Sequence, residues 1–312
     1  MSNTSTVRGF LLLGSSEVRE PRPVHAAPFL PVYPAALTGN LLVVAVALLG
    51  RRLRAPVYFF LGNLALVDLC FVSVTVPKSV AVCLTDCRSI SFLSCAAQLF
   101  LVVLFAAPEF FVLTAVSYDR YAAICLPLRY GVVVGRGVCG KMAAASWLGG
   151  GLVGVLFSAS TFSLSFCGSH VVRRFFCDVP SLLKITRSED RSAIDASVTL
   201  SLTVGAVGSV SIAVSYARVI GAVLRMPAAE GRAGAFSTCL PHLLVVTVFL
   251  SSGVFGYLEP PSHSSSVFDL PMPVFYAVGP PAPNPLIYSL RNRDLKAALR
   301  TILKRGFPQT LL

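Results

Sequence analysis

Seven long apolar runs alternate with short polar stretches along the chain, at roughly 27–50, 57–80, 92–118, 139–160, 193–218, 236–258 and 270–290. Each is close to the ~20 residues that a helix needs to cross ~30 Å of hydrocarbon. The pattern predicts an all-α membrane protein, a seven-helix bundle forming one domain over 1–312. Its helices are expected at about 27–50, 57–80, 92–126, 139–160, 193–226, 230–259 and 268–290. The remainder is a first tail over 1–26, a long connection over 161–192 and a last tail over 291–312. No soluble domain, low-complexity tract or internal repeat stands out.

Composition agrees. The chain is 55% hydrophobic and only 13% charged, with a mean hydropathy of +0.75, against about 25% charged residues in a soluble domain. The opening MSNTSTVRGF has no basic region followed by an apolar core, so the first spanning helix is expected to direct insertion.

The net charge of +12 is a topology signal. With the last tail inside, the inner segments hold Arg51, Arg52, Arg54, Arg120, Arg129, Arg136, Lys141, Arg218, Arg225 and Arg232, then the basic tail from Arg291 to Arg305. Against these stand Asp119, Glu230 and Asp294, so the positive charge lies inside. It is spread over short loops, which argues against nucleic-acid binding. The N-terminus is then outside, where Asn3-Thr4-Ser5 is a glycosylation sequon. The stretch RDLKAALRTILKR after residue 292 is amphipathic and basic, which suits a short helix on the inner leaflet.

Polar residues inside the apolar runs mark candidate chemistry. Asn40 suits an interhelical hydrogen bond. Asp68 falls near the membrane centre, where a lone acid costs ~2.5–3.5 kcal/mol and needs a partner. Glu109, about 21 Å along the third helix from Cys95, supplies a companion in the same layer. Two acids without a base imply a shared proton, a bound cation such as Na⁺, or a protonated Glu109 that is merely hydrogen-bonded. Cys95 and Arg120 lie about 37 Å apart along that helix and so face opposite sides of the membrane. Pro108 should kink it. Gly149, Gly150, Gly151 and Gly154 in the fourth helix permit close helix contact.

At the inner end of the third helix, 116–130 reads VSYDRYAAICLPLRY. It resembles the MAYDRYVAICxPLxY pattern of olfactory receptors, which are rhodopsin-like G-protein-coupled receptors; Val116 and Ser117 replace its Met and Ala. Four further stretches follow the same family in order. LRAPVYFFLGNLALVD at 53–68 is similar to LHTPMYFFLSNLSxxD. The long connection resembles FCxxxxIxHFFCDxPxLLKLSCSD, with Arg187 in place of its last cysteine. GAFSTCLPHLLVV from Gly234 is similar to KAFSTCxxHLxVV, with Gly234 replacing a Lys that faces the G protein. PPAPNPLIYSLRN at 280–292 resembles PxLNPxIYSLRN, with Pro283 replacing a Leu. Pro241 and FLSSG resemble the subgroup called family 14.

The resemblance implies roles residue by residue. Asp119, Arg120, Tyr121, Tyr216, Asn284, Pro285 and Tyr288 would carry activation and G-protein coupling. Arg120 would hold Asp119 at rest and turn toward Tyr216 and Tyr288 when active. Cys177 would pair with Cys95. Cys167 loses its family partner and is either free or paired with Cys87. Asp68 and Glu109 would form the sodium site. Partners would be a small volatile odorant, a stimulatory olfactory G protein and membrane lipid, in the plasma membrane of sensory cilia. A non-olfactory rhodopsin-like receptor is the alternative.

Counting helical faces from these motifs places an apolar ligand pocket in the outer half of the bundle. Its lining is expected to be Val102, Val103, Ala106 and Ala107; Leu200, Ser201 and Val204; Leu250, Gly253, Val254 and Tyr257; and Val274 and Ala277. Val102 stands where amine receptors need a carboxylate, which disfavours an ammonium ligand. A transporter should show repeats, broken helices and several midplane charges, whereas the chain shows no repeat and only the two central acids. A membrane enzyme should show a nucleophile–base or metal set, whereas His242 stands alone near the inner face.

Overall fold

The computed structural model describes residues 9–13, 26–49, 55–85, 88–166, 170–186, 188, 190–258, 275, 278–279 and 281–291. Asn3, Cys87, Cys167, Arg187, Val274, Ala277 and the tail beyond 291 lie outside them.

Six helices among the described residues are long and apolar enough to cross a membrane. They are α1 (Phe29–Leu49), α2 (Pro56–Leu84), α3 (Phe92–Cys125), α4 (Arg136–Phe162), α5 (Ser192–Leu224) and α6 (Ala229–Leu258). The seventh expected span falls mostly outside the described residues. Its inner end is α7, Asn284–Arg291, preceded by turns over 281–283. That start follows the prolines, since Pro283 and Pro285 cannot donate backbone hydrogen bonds.

Local chemistry sets the ends. Pro56 opens α2 where no backbone N–H is needed. Ser91 caps α3, its side chain accepting from the Ser94 N–H. α2 runs four residues beyond its expected end at 80, because the apolar sequence continues to Leu84 and Pro77 does not break it. Pro34, Pro77, Pro108 and Pro241 all stay inside helices, which membrane helices tolerate. Ser73, Thr75, Ser79, Ser146 and Ser160 return their hydroxyls to the carbonyl four residues back, so none is left bare in hydrocarbon.

α3 is the central post. Its α4 side is close because glycine permits it: a Cβ built on Gly150 would lie 2.3 Å from Pro108 Cγ, and one on Gly154 3.2 Å from the Phe100 ring. Trp147 of α4 donates to Asn63 of α2 at 3.2 Å.

The outer end adds a small sheet that the all-helical expectation did not contain. β1 (Gly9–Leu12), from the first tail, pairs antiparallel with β2 (Ser89–Ser91) and parallel with β3 (Val171–Val172). Phe10 and Leu12 alternate inward and are buried among Phe29, Phe166 and Phe175. Gly9 is required there, because a Cβ would come within 2.5 Å of the Ile90 carbonyl oxygen. A second apolar cluster fills the inner half around Leu64, Leu113, Tyr216 and Tyr288.

Candidate functional site

At the outer end of α3 a disulfide joins Cys95 to Cys177. Gln98, one turn further in, reinforces the tie: its side-chain oxygen accepts from the Cys177 N–H at 3.0 Å, and its amide donates to the Val74 carbonyl at 3.2 Å. Loop, α3 and α2 are thereby stapled at one point. Asp178 caps the short loop helix Val179–Ile185 by accepting from the Ser181 N–H. Cys70, Cys83, Cys125, Cys139 and Cys239 are free thiols.

Mid-membrane, Asp68 and Glu109 are both buried and interact. Asn284 at the start of α7 donates to Asp68 at 2.8 Å. Asn40 on α1 donates to the Pro281 carbonyl at 2.9 Å, tying α1 to the turns before α7. Asp68 Oδ1, Glu109 Oε1 and Asn284 Oδ1 are buried without a hydrogen-bond partner.

At the inner end, Arg120 closes on Asp119 through both Nε, at 3.0 Å, and Nη2. Tyr130, on a short helix beyond the membrane, donates its hydroxyl to the other carboxylate oxygen at 2.7 Å. Burial and that bond push the Tyr130 phenol well above its usual range, so it stays a donor. The Asp119–Arg120 pair is the one the resemblance implied. The part played by Tyr130 went unread, although it closes the same motif.

His242 is not alone, which corrects the sequence reading. Its Nε2 lies 3.0 Å from the Leu113 carbonyl and its Nδ1 2.8 Å from the Tyr216 hydroxyl. A carbonyl can only accept, so Nε2 carries the proton, Nδ1 accepts, and Tyr216 donates. One imidazole thus joins α3, α5 and α6. Tyr288 is buried nearby with its hydroxyl unpartnered, and Tyr121 packs near Tyr118 at 6.2 Å.

In the expected ligand pocket, Val102 is buried and Val103, Ala106 and Ala107 are half-buried along α3. Leu250, Gly253 and Ser201 are half-buried too. Leu200, Val204 and Val254, however, are 51%, 39% and 52% exposed, so they are not enclosed as expected. α5 is apolar on every side, including Leu202, Val207 and Val210, and apolarity alone therefore could not distinguish its lipid face from its pocket face. The side chain of Tyr257, like Val274 and Ala277, lies outside the described residues. Phe110, also missed, lies about one turn further in. It stacks on Phe249 at 6.1 Å and meets the space over Gly208, where a Cβ would lie 2.6 Å away.

The family model for olfactory receptors matches residues 29–305. The chain belongs to the olfactory receptor family. Human Olfactory receptor 14A2 is 47% identical over 309 residues, covering 99% of this chain and 98% of that one. Human Olfactory receptor 14J1 is 46% identical over 310 residues, covering 99% and 97%. Human Olfactory receptor 5A1 is 37% identical over 303 residues, covering 97% and 96%. The stronger match to relatives in the 14 group accords with Pro241 and FLSSG. The protein is thus a seven-helix odorant receptor of the plasma membrane, G-protein-coupled and not an enzyme. The non-olfactory alternative gives way.

Proposed function

We propose that this receptor holds a small, mostly apolar odorant in the outer half of its bundle and raises cAMP through the stimulatory olfactory G protein. The observation that carries the coupling reading is the Asp119–Arg120–Tyr130 cluster at the inner end of α3. It keeps the partly buried Arg120 guanidinium turned onto its neighbour. Tyr216 is held on His242, and Tyr288 has a free hydroxyl. Movement of α6 away from α3 would break the His242–Leu113 contact, free Tyr216 and offer Arg120 two phenols. Asn284 and Pro285 let the inner end of α7 rotate Tyr288 inward.

For the ligand, the α3 face Val102, Val103, Ala106 and Ala107 with Leu250, Gly253 and Ser201 supports an apolar site with few polar anchors. Tyr257, Val274 and Ala277 would complete it.

For the midplane, the unpartnered oxygens of Asp68, Glu109 and Asn284 fit a small hard cation, and Na⁺ is proposed there. It would neutralise one carboxylate while the other acid keeps its proton, and it would bind the resting arrangement. The membrane lipid would contact the exposed faces of α5 and α6.

The deciding experiment is cAMP measurement in cells carrying the olfactory G protein. A panel of small apolar volatiles should give a concentration-dependent rise that is absent with the Arg120→Ala variant. No response to any volatile, with normal surface display, would overturn the reading.

A further inference from the structure

Between the inner halves of α5 and α6 lies a cleft of about 130 Å³ that the outer ligand site does not use. Its floor is Tyr216, Val219, Val223 and Cys239, all buried. At its mouth Ile220, Phe236 and Leu240 are 39%, 43% and 52% exposed, an apolar surface at the inner ends of α5 and α6. Ala235 and Leu243 complete the α6 wall, and among the described residues no charged side chain lines it.

Three observations define what fits. The Tyr216 hydroxyl spends its only hydrogen on His242 Nδ1 at 2.8 Å, so the floor offers an occupant no strong donor. The volume is close to the ~150 Å³ of an apolar cavity that binds benzene, and too small for a sterol or a helix. The mouth is apolar, and Phe236 and Leu240 fall within the expected span 236–258, which suits entry from the bilayer.

We propose that this cleft is a second ligand site, taking a compact apolar molecule of single-ring size from the bilayer, and that its occupation holds the receptor at rest. The effect on activity rests on the coupling reading above, in which α6 moves. An occupant touches α5 through Val219 and Val223 and α6 through Cys239 and Leu243, so it binds best at the spacing these helices have here. It also packs on the Tyr216 ring, keeping that hydroxyl on His242 and away from Arg120. A molecule that prefers one arrangement shifts the population toward it by its difference in affinity. Odorants partition into lipid, so the same chemical class that activates from the outer pocket would restrain from the inner one.

The test uses the full receptor in lipid nanodiscs, photolabelled with 3-butyl-3-methyldiazirine and mapped by mass spectrometry. Insertion is expected to concentrate at Val219, Ile220, Phe236 and Leu240 and to fall with excess toluene. Equal insertion along the lipid-facing Leu202, Val207 and Val210, unaffected by toluene, would overturn the site. Ala235→Phe should fill the cleft and abolish its labelling. If that variant fails to fold, Leu240→Trp closes the mouth from the lipid side and should do the same. In cells, toluene is expected to lower basal cAMP by about five-fold, the lower end of ordinary coupling between sites, and to leave Leu240→Trp unchanged. An equal fall in both would place the action elsewhere and overturn the proposal. Cleft labelling with unchanged cAMP would overturn the restraining role alone. Coupling itself is read separately, from the loss of basal cAMP in Arg120→Ala.

Discussion

Pro108 of α3 sits directly on Gly150 of α4, where an added Cβ would lie 2.3 Å from the proline ring. The close approach of these two helices depends on a glycine facing a proline. Overpacking of this kind costs about 1–3 kcal/mol. Gly150→Leu should therefore lower surface staining several-fold, as stability losses of that size do in cells. Pairing it with Pro108→Ala should restore part of the loss. Staining of Gly150→Leu at the parent level would show that the helices can part without harm.

The Cys95–Cys177 disulfide and Gln98 fasten the outer loop to α3 at the same place. Cys177→Ser should abolish surface expression, measured by flow cytometry on intact cells. Gln98→Ala, which keeps the covalent tie, should only reduce it. Normal display of Cys177→Ser would sink the structural role given to the pair.

Tyr130 donates to Asp119 at 2.7 Å, and a hydrogen bond to a charged group contributes about 1.5–3 kcal/mol. Tyr130→Phe should loosen Asp119, release Arg120 more readily and raise basal cAMP several-fold at unchanged surface level. Arg120→Ala should reach the surface and raise no cAMP at all. An unimpaired response in Arg120→Ala would reduce the cluster to an anchor for the helix end.

A Cβ at Gly253 meets nothing within 4 Å, so Gly253→Leu can fold while projecting four carbons from the α6 stripe. It should block the response to an identified odorant with surface expression near normal. Tyr257→Phe should shift potency only several-fold, because one hydroxyl discriminates by about 1 kcal/mol. Odorant potency should be on the order of micromolar or weaker, given roughly 25 cal/mol per Å² of a small buried surface. If Gly253→Leu responds like the parent, the pocket does not border that part of α6.

Gly234 is exposed with open space around its Cα, at the position where the family pattern KAFSTCxxHLxVV has its Lys. Gly234→Lys should strengthen coupling, seen as a higher maximal cAMP response at equal surface level. No gain would mean that this face of α6 does not meet the G protein.

Length and apolarity fixed the helices, because only a helix or closed barrel can satisfy its backbone in lipid. The Asp119–Arg120 pair, implied by the YDRY motif, needed no fold to bring it together, since neighbours in sequence stay neighbours in space. Asp68 and Glu109 stood out as acids inside apolar runs, whereas the cysteine pairing and the tyrosines proposed for coupling were legible only through motifs shared with a family. Other features joined residues far apart in the chain and awaited the fold. His242 found Tyr216 and Leu113, Gly150 found Pro108, and the strand at Gly9 found Ile90, each across a contact that no local pattern encodes. The lipid face of α5 was undecidable from sequence for a different reason. A bilayer rewards apolar residues on the outside as a soluble core does on the inside, so Leu200 and Val204 carry no mark of which way they point. Only packing against α3 and α6 sets that rotation.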